Sequence, residues 1–310
     1  MKTLHATKKP RRYYIFYFLL PALCLYTIFF TIPIIDSIRF SFYDSNGLIV
    51  KDYVGLGNFI KLFTQYPFKE RLVNAFSNNI KFFVYVTLIQ NFVGFLFAYL
   101  ISRRLWGTTF VRKLSFLPTT LSVLVVGYLF AKLILNPVFG VFNKLLKFLF
   151  LGSFIRPWLG DPLFALPTLA FVVSWQFMGE TILFYTAGID NIPSEVIEAA
   201  KIDGANHFQL IRHIVVPYIM PIIGIVTILI FIGDFTQFDI VYAMTSTQGN
   251  PAYATDLFGS LFYRAAFMPP ARGGWGIGMG AAVSTVMSVV VFTGVLAWLF
   301  FFKTMKKVEA

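Results

Sequence analysis

A chain of 310 residues that is 57% hydrophobic and 13% charged, with a mean hydropathy of +0.73, is excluded from the soluble globular class, whose members carry roughly 25% charged residues. The formal net charge of +12 does not point to nucleic acid, because the basic residues of membrane proteins collect in short cytoplasmic segments. The single cysteine, Cys24, excludes an intrachain disulfide and a cysteine-built metal site.

Apolar runs of about 20 residues recur along the chain, long enough to cross a bilayer as helices. They predict an all-α polytopic membrane protein with six spans, at about 13–38, 79–101, 114–135, 163–187, 214–243 and 276–302. The first run, from Tyr13 to about Ile35, is too long for a signal-peptide core and lacks an Ala-x-Ala-like cleavage site, so it reads as a retained anchor. Pro21 and Pro33 are expected to kink it, and Cys24 is lipid-facing or packing surface.

Orientation follows from the basic residues. The tail over 1–12 holds Lys2, Lys8, Lys9, Arg11 and Arg12; the 102–113 loop holds Arg103, Arg104, Arg112 and Lys113; the 303–310 tail holds Lys303, Lys306 and Lys307. With six spans all three fall on one side, which is then cytoplasmic, together with 188–213. The 39–78 loop has five basic and three acidic residues and is placed outside, as are 136–162 and 244–275. Within 139–155, Lys144 and Lys147 share a helical face, which fits either an amphipathic helix in the outer interface or a loop packed over the bundle.

The stretch from Ile192 to Pro221 interrupts the apolar pattern. Pro193 suits a first helical turn, Glu195 and Glu198 suit a helix N-terminus, and Gly204 can take the left-handed conformation that ends a helix. A second helix is expected from near Ala205 through Pro217 into the fifth span. Ala199, Ala200, Gly204 and Ala205 keep the elbow small enough for another surface to approach closely. Two readings fit: a segment docking in a groove of a soluble partner, or an interfacial helix on headgroups.

Polar side chains within spans need a cavity or a partner. Gln90 and Asn91 fall in the second span, Tyr128 in the third, and Ser174, Trp175, Gln176 and Glu180 in the fourth. Asp234, Thr236, Gln237 and Asp239 fall in the fifth, with Phe231, Phe235 and Phe238 nearby. Gln176 and Glu180 share a face by spacing, as do Asp234 and Gln237. Such a set can line a polar path with aromatic platforms for a sugar, or hold helices together by hydrogen bonds. Gly274, Gly276, Gly278 and Gly280 are expected to pack the sixth span against the fifth or against a partner. No phosphate-gripping G-x-x-x-x-G-K-[ST] loop occurs, so energy for active transport would come from another subunit. The three histidines have no companions at metal-ligand spacing, and neither cofactor nor metal is expected.

Glu198-Ala199-Ala200, Asp203-Gly204-Ala205, Ile214, Pro217 and Pro221 together resemble the EAA signature of permease subunits in binding-protein-dependent ABC importers. A Phe usual in the family is replaced by Ile211. Val54–Phe63, Asn78, Asn79, Trp175, Phe238–Thr245, Pro251, Thr255 and Tyr263–Phe267 resemble the carbohydrate-uptake branch, with Gly249-Asn250-Pro251 where Gly-Gly-Pro is usual. The ending Lys-Lys-Val-Glu-Ala resembles the first, maltose-permease-F-like, of that branch's two unlike permeases. The resemblance implies the type I importer fold, no enzymatic activity in this chain, and a heterodimer with a second permease. It also implies two cytoplasmic ATPase subunits, an extracytoplasmic solute-binding protein and a carbohydrate cargo. Glu198, Ala199, Ala200, Asp203, Gly204, Ala205, Ile211 and Pro217 would then couple to the ATPase. Gln90, Asn91, Tyr128, Trp175, Gln176, Glu180, Asp234 and Gln237 are the path candidates. The rival classes are a stand-alone channel or secondary transporter, a membrane enzyme, and an importer for glycerol-3-phosphate-like cargo.

Overall fold

The computed structural model describes residues 13–104 and 106–308. The basic segment 1–12 lies outside them, as do residues 309–310 and the side chains of the tail from residue 303. Among the described residues the only sheet is a two-stranded hairpin, and the other elements are helices. This is what a bilayer requires, since lipid offers the backbone no hydrogen-bond partners.

Helix α1 (Phe16–Phe40) contains a widened π-turn at Thr27–Thr31. Its large apolar side chains from Phe16 to Ile35 stand exposed, as on a lipid-facing helix. The hairpin follows, β1 (Tyr43–Asn46) and β2 (Ile49–Tyr53), antiparallel with Tyr43 opposite Tyr53 and Asn46 opposite Ile49. Gly47 makes the turn at φ +59. Helix α2 (Gly57–Thr64) carries Asn58, which donates to the carbonyls of Ser41 (2.9 Å) and Tyr43 (2.8 Å) and so fixes where the hairpin leaves α1.

Helix α3 (Phe68–Ser102) starts well before residue 79, where the second span was expected. Its first turn carries Lys69, Glu70 and Arg71, polar enough to hide it from an apolar-run reading. The expected third span, 114–135, is not one helix. Helices α4 (Thr108–Thr120) and α5 (Val123–Ile134) meet at 97°. Pro118 closes α4 in a 3₁₀ turn, and Leu121 is extended at φ −84, ψ 147. Short α6 (Val141–Phe148) exposes Lys144 and Lys147 and buries Asn143, whose Oδ1 accepts from Trp158 Nε1 at 2.8 Å.

Helix α7 (Pro162–Asp190) is capped by Asp161, whose side chain accepts from the Leu163 N–H at 2.9 Å. Helices α8 (Ser194–Ile202) and α9 (His207–Phe235) follow. The fifth span was expected to run to 243 but ends at Phe235, and Asp239–Thr245 forms a separate helix, α10. The break at 236–238 packs against Gly259 of α11 (Phe258–Phe267), where any Cβ would strike the Gln237 carbonyl. Helix α12 (Ile277–Val308) completes the chain. Five helices have the length and apolar composition of a membrane crossing, and the bent α4–α5 pair, taken as one broken crossing, makes the expected six.

The main packing is α3 on α7, with α9 against both. Phe82, Val86, Leu169, Tyr185, Ile219 and Val226 are buried in that seam. A second cluster joins α2, α3, α11 and α12 through Leu62, Leu72, Phe258, Met279 and Val283. The glycine face at the start of α12 does not meet the fifth span. Gly276 and Gly278 lie against Ser45 and Tyr43 of the hairpin, and Gly280 against Ala266 of α11. The hairpin also caps α12: Ser45 Oγ accepts from the Gly278 N–H (2.9 Å) and the Gly47 carbonyl from the Ile277 N–H (2.8 Å). Contact between α12 and α9 comes further along, where Gly294 admits Phe231 and Gly224 admits Phe302.

Candidate functional site

Between α3, α7 and α9 lies a cavity of about 300 Å³. Gln90 reaches it from α3, Glu180 and Thr181 from α7, Asp234 from the last turn of α9, and Thr236 and Gln237 from the break beyond. Phe177 and Phe184 flank Glu180 one helical turn to either side, so the polar wall has an aromatic border. Asp234 is only 3% exposed and its Oδ2 has no hydrogen-bond partner among the described residues. Thr181 donates to Gln90 Oε1 at 3.1 Å, fixing that amide on the wall.

Amide clamps tie the helices together on either side of the cavity-lining stretch. Away from the elbow, Asn79 Nδ2 donates to the Asp234 carbonyl (2.9 Å) while its Oδ1 accepts from the Phe258 N–H (2.8 Å). Toward the elbow, Tyr185 donates to Asn91 Oδ1 (2.5 Å), and Asn91 Nδ2 donates to Thr227 Oγ1 (3.1 Å). This chain of bonds ties α7, α3 and α9 together just past the cavity.

The elbow has well-defined local causes. Gly204 adopts φ +83; its N–H bonds the Lys201 carbonyl (3.1 Å) and the Ala205 N–H bonds the Ala200 carbonyl (2.9 Å), a Schellman closure of α8. Helix α9 opens at His207, two residues later than expected, because Asn206 caps it. Asn206 Oδ1 accepts from the Gln209 N–H (2.9 Å), and Gln209 Oε1 accepts from the Asn206 N–H (2.8 Å). A π-turn at Ile211–Val215 then leads to Pro217 and Pro221. Glu198, Ala199, Asp203 and Gly204 are exposed, and so are Ile202 (87%) and Phe208 (68%). Ala200, Ala205 and Ile211 are half-buried. Arg103 Nη1 donates to His207 Nδ1 (3.1 Å) and Tyr218 to the Asn191 carbonyl (3.2 Å), tying the elbow to the bundle.

Of the eight path candidates, the structure brings Gln90, Glu180, Asp234 and Gln237 to one cavity. The other four stand elsewhere. Asn91 belongs to the clamp. Gln176 does not share the wall with Glu180; it turns to the carbonyl that the α4–α5 bend exposes on Leu121 (3.2 Å). Trp175 packs on Phe130, ring centroids 5.2 Å apart. Tyr128 lies half-exposed on α5 and does not border the cavity. Phe177, Thr181 and Phe184 went unnoticed in the sequence, although their spacing from Glu180 marks one helical face. Arg264, quoted only as part of a motif, proves to be a buried cation paired with Asp256.

Comparison with known proteins bears on this arrangement. The family model described as "Binding-protein-dependent transport system inner membrane component" matches residues 72–302. The probable ABC transporter permease protein YurN of Bacillus subtilis is 32% identical over 294 residues, covering 94% of this chain and 96% of the relative. The lactose transport system permease protein LacF of Rhizobium radiobacter is 31% identical over 287 residues, covering 92% of each. In structure, the chain resembles one from a bacterial ABC transporter that imports the acidic polysaccharide alginate. The TM-score is 0.79 over 95% of this chain and 96% of that one, at 22% identity, which speaks to the fold alone.

Proposed function

The chain belongs to the family of binding-protein-dependent transport system inner membrane components, and from that premise we propose that it is the permease subunit of an ATP-driven importer for an oligosaccharide. The observation that carries the cargo reading is the single cavity that joins two carboxylates and two amides to Phe177 and Phe184. A sugar needs hydrogen-bonding groups for its hydroxyls and an apolar surface for its C–H faces, and a pocket with a few placed polar groups supplies both. Relatives named for lactose and for starch degradation products agree with a carbohydrate cargo.

A second permease completes the path, and two ATPase subunits supply the energy. The elbow 190–221, with Glu198, Ala199, Ala200, Asp203, Gly204, Ala205, Ile211 and Pro217, transmits ATPase closure to the bundle. Exposed Ile202 and Phe208 beside the Gly204 break support a docking role, since apolar side chains on a charged segment call for a groove. Both ends of the chain then lie in the cytoplasm, and a solute-binding protein delivers cargo to the opposite face. Closure rocks the bundle between two states in which the cavity opens to either side.

The test uses the assembled importer. Gly204→Pro, which forbids the positive φ of the elbow, and Glu198→Lys are expected to abolish co-purification of the ATPase while membrane insertion persists. Full ATPase binding and uptake in both variants would overturn the coupling role. Uphill transport by this chain alone in liposomes would overturn the whole assignment.

A further inference from the structure

We propose that the cavity sorts cargo by charge, admitting neutral saccharides and rejecting those that carry carboxylate, sulfate or phosphate groups. This selection rests on the saccharide-path reading above and adds an electrical property to it. The lining residues include two acids, Glu180 and Asp234, and no Lys, Arg or His. Among the described residues neither acid has an ion-pair partner: the ion pairs are Arg39 with Asp36 and Arg264 with Asp256. At the cavity wall Asp234 is 3% exposed, and its Oδ2 has no hydrogen-bond partner among the described residues. Asn79 holds only its backbone carbonyl, so the carboxylate is positioned by the helix end and left for the cargo.

An unpaired acceptor of this kind is satisfied by a sugar hydroxyl, which donates one hydrogen bond to it. An anionic group brings no such proton and meets the Glu180 carboxylate at the cavity wall. Discrimination by unpaired like charge is a recurrent way to exclude a near-isosteric ligand. The fold does not itself dictate this outcome, because an importer of the same fold carries an acidic polysaccharide. In this chain the selection is carried by the Glu180 carboxylate on the cavity wall.

The experiment measures equilibrium binding of paired sugars to the assembled importer in nanodiscs, without binding protein. The probes are maltotriose, cellotriose and lactose, each beside its C6-oxidised uronate form, at low and high salt. For whichever sugar binds, the neutral form is expected to bind roughly tenfold or more tightly than the uronate at low salt. That gap is expected to narrow at high salt and in Glu180→Gln, a change at an exposed side chain. A uronate bound as tightly as its neutral partner, or a gap indifferent to salt and to Glu180→Gln, overturns the charge selection and leaves the saccharide path standing. A panel in which no sugar of either form binds overturns the saccharide path, and the charge selection falls with it.

Discussion

The side chain of Asn79 donates to the backbone carbonyl of Asp234 at 2.9 Å, joining residues 155 positions apart in sequence. Helix α9 ends one residue after Asp234, within the bundle, where the Thr236 N–H bonds the Ile232 carbonyl (3.2 Å) and the Gln237 N–H bonds the Asp234 carbonyl weakly (3.4 Å). Asn79 adds a stronger donor to the Asp234 carbonyl, and with its other amide atom it takes the first N–H of α11. One buried amide thus ends one helix and begins another at the rim of the cavity.

Asn79→Leu keeps the branched shape and removes both bonds. It strands the buried Phe258 N–H, at a cost of about 1–3 kcal/mol, and leaves the Asp234 carbonyl only the 3.4 Å bond from the Gln237 N–H. Thermal unfolding of the purified importer should show a clear drop in midpoint. A midpoint equal to that of the parent protein would mean the clamp contributes nothing.

Asp256 and Arg264 form an ion pair whose side chains are 0% and 4% exposed, with Arg264 Nη1 also donating to the Thr247 carbonyl at 2.7 Å. Removing one partner of a buried pair destabilises by about 3–5 kcal/mol, because the other charge is left without compensation. Arg264→Met should therefore be severe, while Arg264→Met with Asp256→Asn should regain a substantial part of the loss. A double-mutant cycle on unfolding midpoints reads the coupling directly. Additive single effects would contradict it.

Two glycines make a matched contrast. A Cβ at Gly278 would collide with the Tyr43 carbonyl, whereas a Cβ at Gly233 would meet nothing within 4 Å. Gly278→Ala should unseat the hairpin and cost about 1–3 kcal/mol by overpacking. Gly233→Ala, inside α9, should leave stability unchanged or raise it by up to about 1 kcal/mol through helix propensity. The same midpoint measurement on both variants decides. An equal loss in the two would show that close approach at Gly278 is not what seats the hairpin.

Much of this architecture was legible because its signals are local. Pro193, Gly204 and the acids at 195 and 198 specify a helix, a stop and a restart within a few residues, and the elbow folds that way. The failures came where a mostly apolar stretch changes backbone direction at a short polar break that also fits a continuous span with a polar face. The α4–α5 bend leaves the Leu121 carbonyl to be met by Gln176, more than 50 positions away. Likewise Asp234, Thr236 and Gln237, read as polar residues of one continuous span, flank the turn after Phe235, where the Gln237 carbonyl lies against Gly259 of another helix. The cavity was half legible for a related reason. Spacing places Gln176 and Glu180 on one face, but the edge of that face falls between them, and only packing against α4 and α9 reveals where.

Ile202 and Phe208 stand bare on either side of Gly204. If the proposed ATPase dock covers them, a copy made without that subunit would present both side chains to water or headgroups, and sealing them would add apolar burial to the free energy of assembly.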